Sequence, residues 1–174
     1  PDQGGQIRFA RDRWLFRRGL TAVDRIVAQN EHQRLTCSSQ YGREAQVIPS
    51  CYPTSRQLRA GAPERVLWVG TVHPNKRPEM FLELARRLPH RRFVMVGGPS
   101  GGVENAYFAG VRRQAAALPN LEFTGFLPLA EVEDRFDEAR VLALTSRYEG
   151  MPNVFLQAWA RGVPTVSTVD VGTD

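Results

Sequence analysis

Between Arg65 and Val169 short apolar runs alternate with longer stretches of helical character, and that alternation leaves few folds open. Arg65–Val69, Arg92–Val96, Leu121–Thr124, Val141–Thr145 and Pro164–Val169 read as strands. Pro78–Leu88, Val103–Leu118, Leu129–Glu138 and Asn153–Ala160 read as helices, the first with Phe81, Leu82 and Leu84 on its apolar side. Strands parted by helices connect in parallel, with the helices covering both faces of the sheet. The class is therefore α/β: a doubly wound, Rossmann-like parallel sheet, expected in the order 3-2-1-4-5 because crossovers are right-handed. Ligands of such sheets bind at the carboxyl ends of the strands. That directs attention to loops 70–77, 97–102, 125–128 and 146–152.

The front of the chain differs in kind. Residues 6–22 interleave Ile7, Phe9, Trp14, Leu15 and Phe16 with Arg8, Arg11, Arg13, Arg17 and Arg18, the pattern of a helix with a basic face. A strand at Arg25–Ala28, a polar helix at Glu31–Ser39 and a strand at Ala45–Ile48 follow. Pro49, Pro53, Gly61 and Pro63 then mark residues 49–64 as a linker. Charge divides the same way: residues 1–60 hold ten Arg against five acids, whereas residues 61–174 hold thirteen bases and thirteen acids. Two domains are expected, 1–60 and 61–174. The opening Pro1-Asp2 without methionine, and an end at Asp174 without a closing helix, suggest truncation at both ends.

Composition excludes several classes. No apolar run approaches the ~20 residues that cross a bilayer, and Cys37 and Cys51 form neither a metal spacing nor a disulfide framework, which favours a reducing, cytoplasmic setting. No metal site is expected, since H-x-x-x-H, C-x-x-C and clustered carboxylates at ligand spacing are missing. G-x-G-x-x-G after a strand and G-K-[ST] are missing too, which speaks against NAD enzymes and P-loop NTPases. Gly98-Pro99-Ser100-Gly101-Gly102 does satisfy G-x-S-x-G between a strand and a helix. A hydrolase built on Ser100 needs a histidine after it in the chain, and His32, His73 and His90 all precede it. A Gly-rich turn beside a ligand is the preferred reading.

The segment from Ser146 to Pro164, SRYEGMPNVFLQAWARGVP, carries the strongest signal. Pro152 suits the first position of a helix, because its missing N–H had no partner there. The amides of Asn153, Val154 and Phe155 then face outward from a helix N-terminus, where the dipole favours a phosphate. Glu149 precedes that terminus and can accept hydroxyl hydrogen bonds from a polyol, and Gln157 follows one turn into the helix. Of the chain's 23 basic residues only Lys76 is a lysine, in one of the loops at the carboxyl edge.

On these residues the chain resembles the retaining glycosyltransferases of group 1 (family 4), which have the GT-B fold. Their signature is Glu, seven residues, a second Glu, then A-x-A-x-G-x-P, and Glu149 to Pro164 follows it closely. VLWVGTVHPNKRP at 66–78 is similar to the family's first strand and phosphate loop, with Lys76 at its diphosphate-binding lysine. FVMVGGP at 93–99 and LEFTGFL at 121–127 resemble the next two strands, and DRIVAQNEHQ at 24–33 with VIP at 47–49 resembles the end of the acceptor-side domain and the crossover. The resemblance implies one half of a GT-B enzyme that moves a hexosyl group from a nucleotide diphosphate sugar, UDP- or GDP-linked, to an acceptor hydroxyl with retention of configuration. It implies no cofactor and no metal. Lys76 and Glu149 would be catalytic; Gly70, Lys76, Arg77, Gly98, Phe126, Leu127, Glu149, Gly150, Met151, Asn153, Val154, Phe155 and Gln157 would bind the donor. The chain departs from the pattern twice. Gln157 stands where the family has its second, ribose-binding Glu, and Thr71 where many members carry an Arg.

Further expectations follow from that resemblance. A glycan or lipid serves as acceptor, nucleic acid is no partner, and this piece alone does not turn over. The alternatives are a non-catalytic sugar-nucleotide-binding module and the Ser100 hydrolase. The basic stretch at 6–22 either packs on its own domain, the preferred reading, or makes a peripheral contact with the inner face of a membrane.

Overall fold

A computed structural model describes residue 7 and residues 9–53, 63–169 and 171. The described residues form two compact units, one ending at Cys51 and the other running from Tyr52 to Val171. The expected boundary at 60/61, and most of the expected linker, lie outside the described residues.

The first unit contains α1 (Ala10–Ala22), β1 (Val27–Ala28), α2 (Glu31–Tyr41) and β2 (Gln46–Val47), with β1 and β2 paired in parallel. Asn30 starts α2 by accepting a hydrogen bond from the Gln33 amide at 2.9 Å, a side chain meeting one of the orphan donors of a helix start. A small core of Ala28, Cys37 and Ala45, with Ile26 against it, holds the unit. α1 buries no residue fully; Phe16 meets Tyr41 edge-on, while Trp14 and Leu15 are exposed.

The second unit is the expected sheet. Its strands are β3 (Arg65–Val69), β4 (Arg92–Val96), β5 (Leu121–Gly125), β6 (Ala139–Leu144) and β7 (Thr165–Ser167). They lie in the order β5-β4-β3-β6-β7, every neighbour parallel. Counted along the unit this is 3-2-1-4-5. The helices between them are α3 (Pro78–Arg87), α4 (Ala106–Ala116), α5 (Leu129–Asp137) and α6 (Asn153–Ala160).

Alternation along the strands builds two cores, because successive side chains leave a strand on opposite faces. Leu67, Val94, Val96, Leu142 and Leu144 face α5 and α6, packing on Val132, Phe136, Phe155 and Ala158. Trp68, Phe93, Met95 and Ala143 face α3 and α4, packing on Phe81, Leu82, Ala85, Phe108, Val111 and Ala115. A one-residue slip of any strand would exchange the two sets, so register is tightly specified.

Element ends differ from expectation where local chemistry intervenes. α4 begins at Ala106 instead of residue 103, since Gly101 and Gly102 take φ of 72° and 73° and Asn105 provides the cap, accepting from the Phe108 amide at 2.9 Å. β6 starts two residues early, at Ala139, where it pairs with Arg65 across an irregular register. β7 is shorter than expected because Pro164 has no amide to give, although its carbonyl still accepts from Leu142.

Candidate functional site

Beyond β3 and β4 the backbones stay together. The Gly70 amide donates to Val96 O at 3.0 Å, the Val72 amide to Gly98 O at 2.9 Å, and Val72 bridges Pro99. The Gly97 amide donates to Gly125 O at 2.8 Å. Glycine is required at position 97: a Cβ there would sit 2.0 Å from Gly70 O. At Gly98 a Cβ would come within 3.0 Å of the Phe126 Cβ. The close approach of these loops leaves an open cleft of about 420 Å³ lined by Gly70, Thr71, Gly98, Gly101, Phe126 and Leu127, among others. Phe126 is 77% exposed. Four of the expected donor-binding residues, Gly70, Gly98, Phe126 and Leu127, therefore share one cavity at the carboxyl edge of the sheet.

The loops after β3 and β6 form a second, polar group. Pro74–Lys76 is a single 3-10 turn that His73 caps, its Nδ1 accepting from the Asn75 amide at 3.1 Å. Arg77 closes the turn in the left-handed region at φ 47°, so that Pro78 can open α3 with its preset backbone angle. Two bonds stitch this turn to the loop from β6: Arg147 N–H to Asn75 O at 2.8 Å, and Asn75 Nδ2 to Tyr148 O at 3.3 Å. The side chains of Lys76 and Glu149 then meet as a half-buried ion pair, Nζ on Oε1. Ser146 Oγ donates to the same Oε1 at 2.6 Å. The remaining oxygen, Oε2, has no hydrogen-bond partner among the described residues and is not buried. Asn75 Oδ1, buried in the neighbouring turn, is also without a partner among the described residues.

Helix α6 spans the expected Asn153–Ala160, but Pro152 does not take the first helical position that the sequence suggested for it. Pro152 is the residue before the helix, with ψ 125°, and Asn153 is the first helical residue. The Phe155 amide, expected to be free for a ligand, donates instead to Pro152 O at 2.9 Å; the first turn tightens to 3-10 geometry and satisfies it. Asn153 and Val154 keep their outward amides. The side chains of Val154 and Phe155 belong to the core, and Gly150 and Met151 are half-buried in the preceding loop.

Gln157 has a neighbour that the sequence did not disclose. The Tyr52 hydroxyl donates to Glu133 Oε1 at 2.8 Å, and the Gln157 side chain lies near enough to influence the same phenol. The Glu133 carboxylate is the main cause of a phenol held above its ordinary range; burial adds to it and Gln157 opposes it. Arg161, almost buried, neutralises Glu133 at 3.3 Å. A neutral amide fits this arrangement because it can donate to the phenol oxygen, which a second carboxylate could not do.

Sequence reasoning also missed Trp68, Thr145 and Ser146. Their signal was present: two hydroxyl residues end an apolar strand, where a polar side chain is costly unless bonded. Ser100 has no histidine or carboxylate partner among the described residues. No group of three or more His, Cys, Asp or Glu is placed to hold a metal ion among them, and no helix there is long and apolar enough to cross a membrane.

Known proteins match this geometry. A family profile described as glycosyl transferases, group 1, matches residues 63–174. The D-inositol 3-phosphate glycosyltransferase of Kineococcus radiotolerans is 28% identical over 174 residues, covering 85% of this chain and 40% of its own length. That of Mycobacterium leprae is 34% identical over 110 residues, 59% of this chain and 24% of its own. The chain thus spans less than half of these relatives. Among solved structures, Anabaena Alr3699/HepE in complex with UDP superimposes with a TM-score of 0.75 at 20% identity, over 95% of this chain and 50% of that one. Sucrose-phosphate synthase from Thermosynechococcus elongatus gives 0.73 at 19%, over 95% and 46%. Profile and architecture agree: this chain belongs to the group 1 glycosyltransferases, and its five-stranded unit has the fold of their C-terminal GT-B domain.

Proposed function

We propose that this chain supplies the donor site of a retaining glycosyltransferase that moves a hexosyl group from a UDP- or GDP-linked sugar to an acceptor hydroxyl. The observation that carries this reading is the pairing of Lys76 with Glu149, 73 residues apart in sequence, beside a glycine-lined cleft at the carboxyl edge of a parallel sheet. In transfer, the bond from the anomeric carbon to the diphosphate breaks, its electron pair staying on the leaving oxygen. The acceptor oxygen bonds that carbon on the face the diphosphate leaves, and its proton passes to the departing phosphate oxygen. Charge thus grows on the diphosphate, and a lysine ammonium with the amides of Asn153 and Val154 stabilises it more in the transition state than in the ground state. Arg77, next to Lys76, adds to the same field. Glu149 Oε2 accepts a sugar hydroxyl and fixes the ring. The base lies along loop 125–128 by shape and backbone contact, with Phe126 at the mouth. The diphosphate charge is met by side chains and amides alone, so the reading includes no metal and no cofactor.

The acceptor is a glycan or a lipid, met by residues outside the five-stranded unit, and this chain alone is not expected to turn over. We place the protein in the cytoplasm, where Cys37 and Cys51, both free thiols, stay reduced. A second reading, a module that binds a sugar nucleotide without transfer, draws support from Gln157, engaged with Tyr52, and from Thr71 in place of the family's Arg.

Calorimetric titration of the chain with uridine, UDP and GDP tests the donor site. Lys76→Ala is expected to cost about 1.5–3 kcal/mol in diphosphate binding, the worth of a charge-assisted bond, and to leave uridine binding unchanged. Equal losses for both would remove Lys76 from the phosphate. Transfer measured with the complete protein separates the enzyme from the binding module.

A further inference from the structure

Thr145 and Ser146 are the two buried polar side chains of the described residues, 6% and 0% exposed, and they are adjacent in sequence. A hydroxyl buried without partners costs roughly 1–3 kcal/mol, and Val or Ala would fill the same space without that cost. Their partners explain them. Thr145 Oγ1 accepts from the indole Nε1 of Trp68 at 3.0 Å and donates to the main-chain carbonyl of Lys76 at 2.7 Å. Trp68 is itself 1% exposed and packed on Phe81, so this relay fixes the Lys76 backbone to the core. Ser146 faces the other way, as the next residue of an extended segment does. Its hydroxyl holds Glu149 Oε1, while its carbonyl accepts from Thr168 Oγ1 at 3.1 Å. One dipeptide at the end of β6 thus grips the backbone of one member of the ion pair and the carboxylate of the other.

We infer that Thr145 and Ser146 are positioning residues of the donor site: Thr145 sets where the Lys76 ammonium meets the diphosphate, and Ser146 sets which way Glu149 Oε2 faces the sugar. The inference rests on the donor-site reading above and adds to it a division of labour. Each hydroxyl serves a different part of the ligand, which a general structural role would not produce.

The test is calorimetry of the chain with uridine, UDP and UDP-glucose, with melting temperature as the measure of folding. Ser146→Ala is expected to weaken UDP-glucose about threefold to tenfold, the range of one net hydrogen bond, and to leave UDP within about twofold. Thr145→Val is expected to weaken UDP about threefold to tenfold with uridine unchanged, and Thr145→Ser to restore it. Because Thr145→Val also strands the Trp68 indole, the double change Trp68→Phe/Thr145→Val is measured beside it and should show the same UDP loss with more of the melting temperature retained. Losses shared evenly by all three ligands, or failure of Thr145→Ser to rescue, would make both residues structural and overturn the inference. Lys76→Ala and Glu149→Gln serve as references. If they act on UDP and UDP-glucose respectively while the hydroxyl variants do nothing, the positioning roles fall and the donor site stands. If the references themselves do nothing, the donor-site reading falls and the inference goes with it.

Discussion

Two flanks of the sheet's carboxyl edge are built on opposite plans. On the β3–β6 side every loop is held by named polar bonds: Asn75 to Arg147 and Tyr148, Thr145 to Lys76, Ser146 to Glu149. On the β4–β5 side, Gly97 and Gly98 are held by main-chain bonds to Gly125 and Val72, and position is set by the absence of side chains. A charge must be aimed, so its support is directional. A flat ring needs only a slot of the right width, so its support is volume. The first flank should fail by loss of a hydrogen bond and the second by gain of an atom.

The largest effect expected on this contrast comes from Gly97→Ala. The added methyl meets a main-chain oxygen that cannot swing aside, so a stability loss of about 3 kcal/mol, the upper end of ordinary overpacking, should appear in urea denaturation. An unchanged midpoint would show that the glycine flank is not shape-limited. Gln157→Glu comes next. It puts a second carboxylate beside Glu133 across the Tyr52 hydroxyl, with a cost of about 1 kcal/mol in stability. Full retention of stability, together with tighter UDP binding, would instead mean that position 157 faces a ribose free of Tyr52. Arg77→Gly should act in the opposite direction, relieving the left-handed backbone for a gain of about 0.5 kcal/mol, while UDP affinity reports whether the guanidinium also serves the phosphate. The smallest effect concerns α1, outside both flanks. Arg11, Arg13, Arg17 and Arg18 beside exposed Trp14 and Leu15 should give weak sedimentation with anionic vesicles at low salt, lost near physiological ionic strength. No sedimentation at any salt leaves packing as the role of that helix.

The sheet was legible because β3, β4 and β6 carry consecutive apolar runs, Val66–Val69, Phe93–Val96 and Val141–Leu144, and the crossover rule did the rest. Lys76 and Glu149 were legible as a lone lysine and as part of a spaced motif. The bonds between them were not. Ser146 read as the first loop residue, because a sequence shows a polar residue after a strand without showing that its surroundings are dry. The α6 range was read correctly but the role of Pro152 was not, because proline satisfies the rule for the first helical position and equally tolerates the extended angle of the position before it. The neighbours of Gln157 were not legible because Tyr52 and Glu133, distant in the chain, carry no local sign that they bond each other near it.

The reversal of strand order between the parallel neighbours β3 and β6, at the middle of the sheet, also sets a timetable. β3 pairs first with β4, its successor in sequence, but its other edge waits for residues 139–142. Until that stretch is available, the Trp68 indole has no acceptor, the Lys76 carbonyl no donor and the Lys76 ammonium no carboxylate. Such long-range closure is slow relative to the local β-helix-β units on either side. Acquisition of UDP binding during refolding is therefore expected to lag behind acquisition of secondary structure. In a chain emerging from the ribosome, a half-sheet that has the Lys76 turn but not yet Glu149 is the species most exposed to wrong partners.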